Sequence, residues 1–70
     1  MKYLVVVEQT DTGFSAYSPD VPGCVATGAT REDVEREMTA AISLHLEGLQ
    51  AEGIKAPVPR TFFTYVDVPA

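Results

Sequence analysis

The chain is short of the groups from which small domains build cross-links, with one cysteine, Cys24, and one histidine, His45, in 70 residues. A single cysteine forms no internal disulfide, and one cysteine with one histidine cannot supply the four ligands of a structural zinc. Cations are scarce as well: five Lys and Arg stand against ten Asp and Glu, for a net charge of -5. Lys2, Arg31, Arg36, Lys55 and Arg60 are scattered, so no basic patch is available to neutralise phosphates and no direct nucleic-acid binding is expected. No apolar run approaches membrane-spanning length, and the first nine residues are too short and too polar at their end for a signal peptide. The reading is a cytoplasmic protein without membrane contact. Phosphate loops, dinucleotide fingerprints, zinc spacings, internal repeats and low-complexity tracts are all missing. Domains this small usually add disulfides, metal or a partner subunit to a modest core. With the first two excluded, a homo-oligomer is expected.

What the chain does have is clear periodicity. Lys2 to Gln9, with Leu4, Val5, Val6 and Val7, reads as a strand apolar on both faces and therefore central in a sheet. Thr10-Asp11-Thr12-Gly13 is a turn, Phe14 to Ser18 returns as a second strand, and Cys24 to Thr27 is a short third. Thr30 then caps a helix from Arg31 to about Glu52, with Asp33 where a capping box carries its acid and Gly53 at the C-terminal cap. Glu32 and Asp33 in the first turn favour the helix dipole, and Glu32 is spaced for an i,i+4 pair with Arg36. Val34, Met38, Ala41, Ile42, His45 and Leu49 form one apolar stripe. Pro57 and Pro59 force an extended return, and Phe62 to Val68 alternates as a fourth strand. The expected fold is α+β in the order β-β-β-α-β, a single domain. Its four-stranded mixed sheet has strand order 3-2-1-4, and one long helix lies on one face.

One helix covers one face of such a sheet, whereas the first and fourth strands are apolar on both. A second copy or another partner should complete the fold. Leu44, away from the main stripe, and Phe63 and Tyr65 on the fourth strand are the candidate oligomer contacts.

The segment Pro19-Asp20-Val21-Pro22-Gly23-Cys24 is the most constrained stretch. Two prolines fix φ and remove donors, Asp20 can bond nearby backbone, and Gly23 admits positive φ. These residue types suit a strand connector and a recognition loop alike. Chemistry is thin around it. Cys24 has no evident base or oxyanion donor and reads as a buried small hydrophobe, while His45 reads as a core or interface residue. Glu8, Asp11, Asp20 and Asp67 fall near strand ends, yet nothing in their spacing makes them converge on metal ions. No catalytic, metal or cofactor-binding residues are assigned.

The combination of a strand ending in Glu8, the run GFSAYSPDVPGC, Gly28, the Thr30-led acidic helix with His45-Leu46-Glu47, Gly53 and the Pro57/Pro59 segment resembles the HicB-like antitoxins. The likeness covers nearly the whole chain. It implies a partial ribonuclease-H-like fold without nuclease activity. It also implies a partner: a small, basic, messenger-RNA-cleaving HicA-like toxin that the antitoxin occludes. The toxin-binding residues it points to are Tyr17, Asp20, Val21, Pro22, Gly23 and Cys24, with the exposed sheet face. Family antitoxins commonly add a carboxy-terminal DNA-binding module, for which this sequence has no room. A stand-alone oligomeric domain that binds a protein or ligand without a toxin is the alternative, and a divergent metal-dependent nuclease a further one.

Overall fold

A computed structural model describes residues 1–69. Three strands, β1 (Val6–Gln9), β2 (Phe14–Tyr17) and β3 (Val25–Gly28), precede one helix, α1 (Arg31–Ala51). The strands form an antiparallel meander in the order β1-β2-β3. Two cross-strand rows follow from the register. Val7, Ala16 and Ala26 share one row, and Val6, Tyr17 and Val25 the next. Because side chains alternate across a pleated sheet, these rows face opposite sides. The first faces α1, where Ala16, Val21, Cys24, Val34 and Met38 form the core, with Tyr3, Val5, Val7, Phe14, Ala26 and Ile42 packed around it.

The helix begins and ends as its sequence dictates. Thr30 takes extended backbone angles, and its Oγ1 accepts the Asp33 N–H at 3.1 Å. At the other end Gly53 adopts φ 72°, while the Ile54 N–H donates to the Leu49 carbonyl at 2.9 Å and the Gly53 N–H to that of Gln50 at 3.0 Å. This is the paired bonding of a Schellman motif, which satisfies carbonyls the helix leaves free. The start of α1 lies hard against β3: a Cβ on Gly28 would sit 2.9 Å from the Val34 nitrogen, so only glycine allows the approach. On the exposed face Arg31 pairs with Glu35 at 3.3 Å and Arg36 with Asp33, in place of the expected Glu32–Arg36 pair. Pairs this exposed contribute little to stability.

The apolar stripe of the helix is only partly covered. Val34 and Met38 are buried, whereas Ala41, Ile42, His45 and Leu49 are half-buried. The cause is length. Four-residue strands reach about 13 Å, and a 21-residue helix about 31 Å, so the second half of α1 outruns the sheet. His45 accordingly flanks an open groove with Cys24 and Val25 and lies outside the core.

The expected fourth strand, and with it the 3-2-1-4 sheet order, is not formed: among the described residues, 54–69 carry no regular secondary structure. The reason lies at Arg60 and Thr61. Both of their N–H groups donate to the same oxygen, Oδ2 of Asp20, at 2.9 and 2.8 Å. In a strand, successive N–H groups point to opposite sides, so backbone that offers two in a row to one acceptor is out of the strand conformation at that point and cannot continue a ladder. Beyond these two residues, Phe63, Thr64 and Tyr65 line a groove along β1, and none of the described residues there makes a backbone-to-backbone hydrogen bond. Residues 62–69 thus form an arm, with Phe62, Phe63, Tyr65, Val66 and Val68 all exposed.

Candidate protein-binding site

The loop between β2 and β3 is two successive turns. The Val21 N–H donates to the Ser18 carbonyl at 3.2 Å and the Cys24 N–H to the Val21 carbonyl at 3.3 Å. Each turn carries proline at its second position. In the second turn Gly23 follows Pro22 at φ 88°, the arrangement that defines a type II turn and that only glycine adopts readily. Ser18 is buried and its hydroxyl donates to the Leu4 carbonyl at 2.8 Å, which ties the loop to the chain entering β1.

Two side chains of the loop point inward. Val21 is fully buried, and Cys24 is buried with its thiol donating weakly to the Ala41 carbonyl at 3.8 Å. They anchor the loop to the core and leave it no freedom to swing, so as contact residues they are replaced by what they support. Pro22 and Gly23 are outward and exposed. Asp20 has a different task from turn formation alone. Besides the two N–H groups of residues 60 and 61, its Oδ1 accepts the Thr61 hydroxyl at 2.7 Å. That hydroxyl holds the Asp20 carboxyl below the usual carboxylate range. Desolvation pushes the other way, and the two backbone N–H groups and the Arg60 charge reinforce the lowering. Asp20 is a clamp on the returning chain, assisted by the Tyr3 hydroxyl, which donates to the Pro57 carbonyl at 2.7 Å.

Next to the loop the sheet face opposite α1 is open. Tyr17 is 44% exposed and Val25 70% exposed, and the register sets Val6 beside Tyr17 on its other flank. The adjoining row on this face is polar, with Glu8, Ser15 and Thr27. An apolar strip with a central tyrosine and a carboxylate at its margin has the composition of a protein-docking surface: amphipathic aromatic centre, polar rim. Val6 and Val25 were missing from the residues read as site candidates. The register implied by the Thr10–Gly13 turn could have found them, whereas nothing in the sequence links Asp20 to Thr61 across 41 positions. Leu44, Phe63 and Tyr65 are exposed, but Leu44 lines the groove that His45 shares with Gly23 and Cys24, and the two aromatics stand on the arm. Among the described residues no three His, Cys, Asp or Glu side chains cluster as metal ligands, and no helix is long and apolar enough to cross a membrane.

A small helix-backed sheet with one open face and a rigid loop at its end defines the class: a two-layer α+β domain. Its family is shown by sequence. The family model of the HicB-like antitoxins of bacterial toxin–antitoxin systems matches residues 3–70, and the chain belongs to that family. Curated relatives include an uncharacterised 14.9 kDa protein of Haemophilus phage HP1, 30% identical over 99% of this chain and 52% of the relative. A UPF0150 protein of Synechocystis is 39% identical over 83% of this chain and 72% of its own length. The chain therefore spans about half the length of the phage relative. Among solved structures, a chain of the HicA3–HicB3 toxin–antitoxin complex matches with a TM-score of 0.68 and 33% identity, over 84% of this chain and 70% of that one. The HicB3 antitoxin alone matches with a TM-score of 0.70 and 35% identity, over 81% of this chain and 42% of its own.

Proposed function

We propose that this chain is the antitoxin of a toxin–antitoxin pair and acts by binding and occluding a small basic HicA-like ribonuclease, with no catalytic step of its own. The observation that carries the reading is the likeness to a chain solved within a HicA3–HicB3 complex, which extends over most of this chain at 33% identity. The open strip of Val6, Tyr17 and Val25 supports it, since it supplies an apolar centre for the contact. The net charge of -5 supports it too, because an acidic surface steers a basic partner and raises its association rate. In this reading Tyr17 is the anchor, the outward Pro22 and Gly23 shape the rim, and Asp20, Val21 and Cys24 keep the loop in place.

The test is co-expression with a small basic HicA-like toxin, followed by calorimetry at two salt concentrations and a messenger-RNA cleavage assay. A stoichiometric complex that silences cleavage is expected. Tyr17→Ala should weaken it by about 2 kcal/mol, roughly 30-fold, as truncation of a central interface aromatic does. Uninhibited cleavage in the presence of excess folded chain would overturn the proposal.

A further inference from the structure

We infer that the basic partner lays an amphipathic helix into the groove between the β2–β3 loop and the second half of α1, close against Gly48 and with a Lys or Arg beside Glu52. The inference rests on the toxin-binding reading and deepens it, for the contact then reaches round the β3 edge from the open strip, with Val25 common to both. Three observations carry it.

The first is an uncovered helix face. Where α1 outruns the sheet it borders a groove of about 520 Å³, whose other wall is Gly23, Cys24 and Val25. Leu44, Gly48 and Glu52, at four-residue steps, form one row of the α1 wall, and His45 and Leu49 the next. Leu44 and Val25 are 71% and 70% exposed on its two sides. The backbone of a helix is bonded within itself, so this wall offers side-chain contacts and no strand pairing, which is how a groove takes an amphipathic helix.

The second is Gly48. It stands inside α1, where glycine is a poorer helix former than alanine. Crowding does not explain it, since a Cβ added there meets nothing within 4 Å. Gly28 makes the contrast: its Cβ would strike the Val34 nitrogen at 2.9 Å, so there the fold itself demands glycine. At position 48 the chain has room for a side chain and carries none. The space is left for something from outside, and glycine lets a second backbone come close.

The third is charge. From residue 37 to its C-cap α1 carries Glu37, Glu47 and Glu52 and no Lys or Arg, and no basic residue in the last turn offsets the negative end of the helix dipole. Between Ser18 and Gly28 the only charged residue is Asp20. Neither wall supplies a cation, so the complementary occupant brings one, to Glu52 at the helix end. A second copy of this chain, at net charge -5, does not fit that description.

The test uses the full chain and a small basic HicA-like toxin, with calorimetry at two salt concentrations and thermal melting beside it. Gly48→Leu fills the groove and removes a helical glycine. It should raise the melting temperature by about 4 °C and yet raise the dissociation constant about 100-fold, a pairing that damage to the fold does not produce. Glu52→Lys suits the helix C-terminus, so the fold stays intact, and it should weaken binding about 10-fold with a smaller salt dependence. Binding unchanged by either variant overturns the inference, and a loss that persists for Tyr17→Ala then leaves the toxin reading standing. A Gly48→Leu chain that melts below the parent also overturns it, because the groove would then be filled from its own chain. A toxin that binds no form of the chain overturns both readings.

Discussion

The loop from Pro19 to Cys24 and the arm from 62 to 69 adjoin through the bonds of Asp20 to Arg60 and Thr61 and have opposite fates. The loop has few apolar side chains, and Val21 and Cys24 among them are buried. The arm is denser in apolar groups, with two phenylalanines, a tyrosine and two valines, and every one of these is exposed. Apolar composition does not determine burial; available cover does. The loop wraps over the edge of the core beside α1, so its inward residues meet Val34 and Met38. The arm reaches β1 after the helix has already covered the other face of the sheet, and finds no second layer to pack on.

Substitutions can break this contrast, starting with the largest effect. Val21→Asp places an unpaired charge in the core and should cost about 4 kcal/mol or more, most or all of the stability of a chain at the low end of the usual range. Loss of helical circular dichroism is the readout. Gly23→Ala forces a Cβ into positive φ and should cost roughly 1–2 kcal/mol in urea melts, although the added methyl meets nothing within 4 Å. If that variant is as stable as the parent, the second turn is not the constraint on the loop.

Asp20→Ala joins the two regions in one experiment. It should release the backbone of Arg60 and Thr61, so that both amides exchange with solvent much faster while the core amides of Val34 and Met38 hardly change. Acid should do the same without mutation. The folded-state pKa of Asp20 lies below its unfolded value, so the clamp contributes fully above the unfolded carboxylate pKa of about 3.9 and is lost as pH falls through the lowered folded value. Arg60 and Thr61 amide shifts followed from pH 7 to pH 2 should show that single acid transition. The smallest effect belongs to the arm. Tyr65→Ser, measured at dilution where chains are separate, should change stability by no more than about 0.5 kcal/mol. A larger loss would mean that the arm has cover within its own chain.

Much of this was legible in the primary structure, and the reasons differ by element. Thr30, Asp33 and Gly53 mark the helix because capping is local chemistry, decided within four residues. The hairpin and the order of the three strands follow from short turns for the same reason. Cys24 was read from its surroundings in sequence as a buried small hydrophobe, as found, whereas Val21 was counted among the contacts because a loop motif does not say which of its side chains points inward; the core beneath it decides that. The strand expected over Phe62 to Val68 has the right alternation. Pairing also needs register, and register here depends on Asp20 holding Arg60 and Thr61 from 41 positions away.

By itself, then, the order of residues determined what acts over a few neighbours: three strands, their turns, the capped helix, the rigid loop, the acidic and cysteine-poor character, and the family. Tertiary structure alone decided what acts across the chain. It turned Asp20 from a turn residue into a clamp, buried Val21, set Val6, Tyr17 and Val25 in one row, and left the apolar side chains of the arm without cover. Local propensity is carried by backbone dihedrals and caps, whereas burial and register require two distant segments to arrive at the same place.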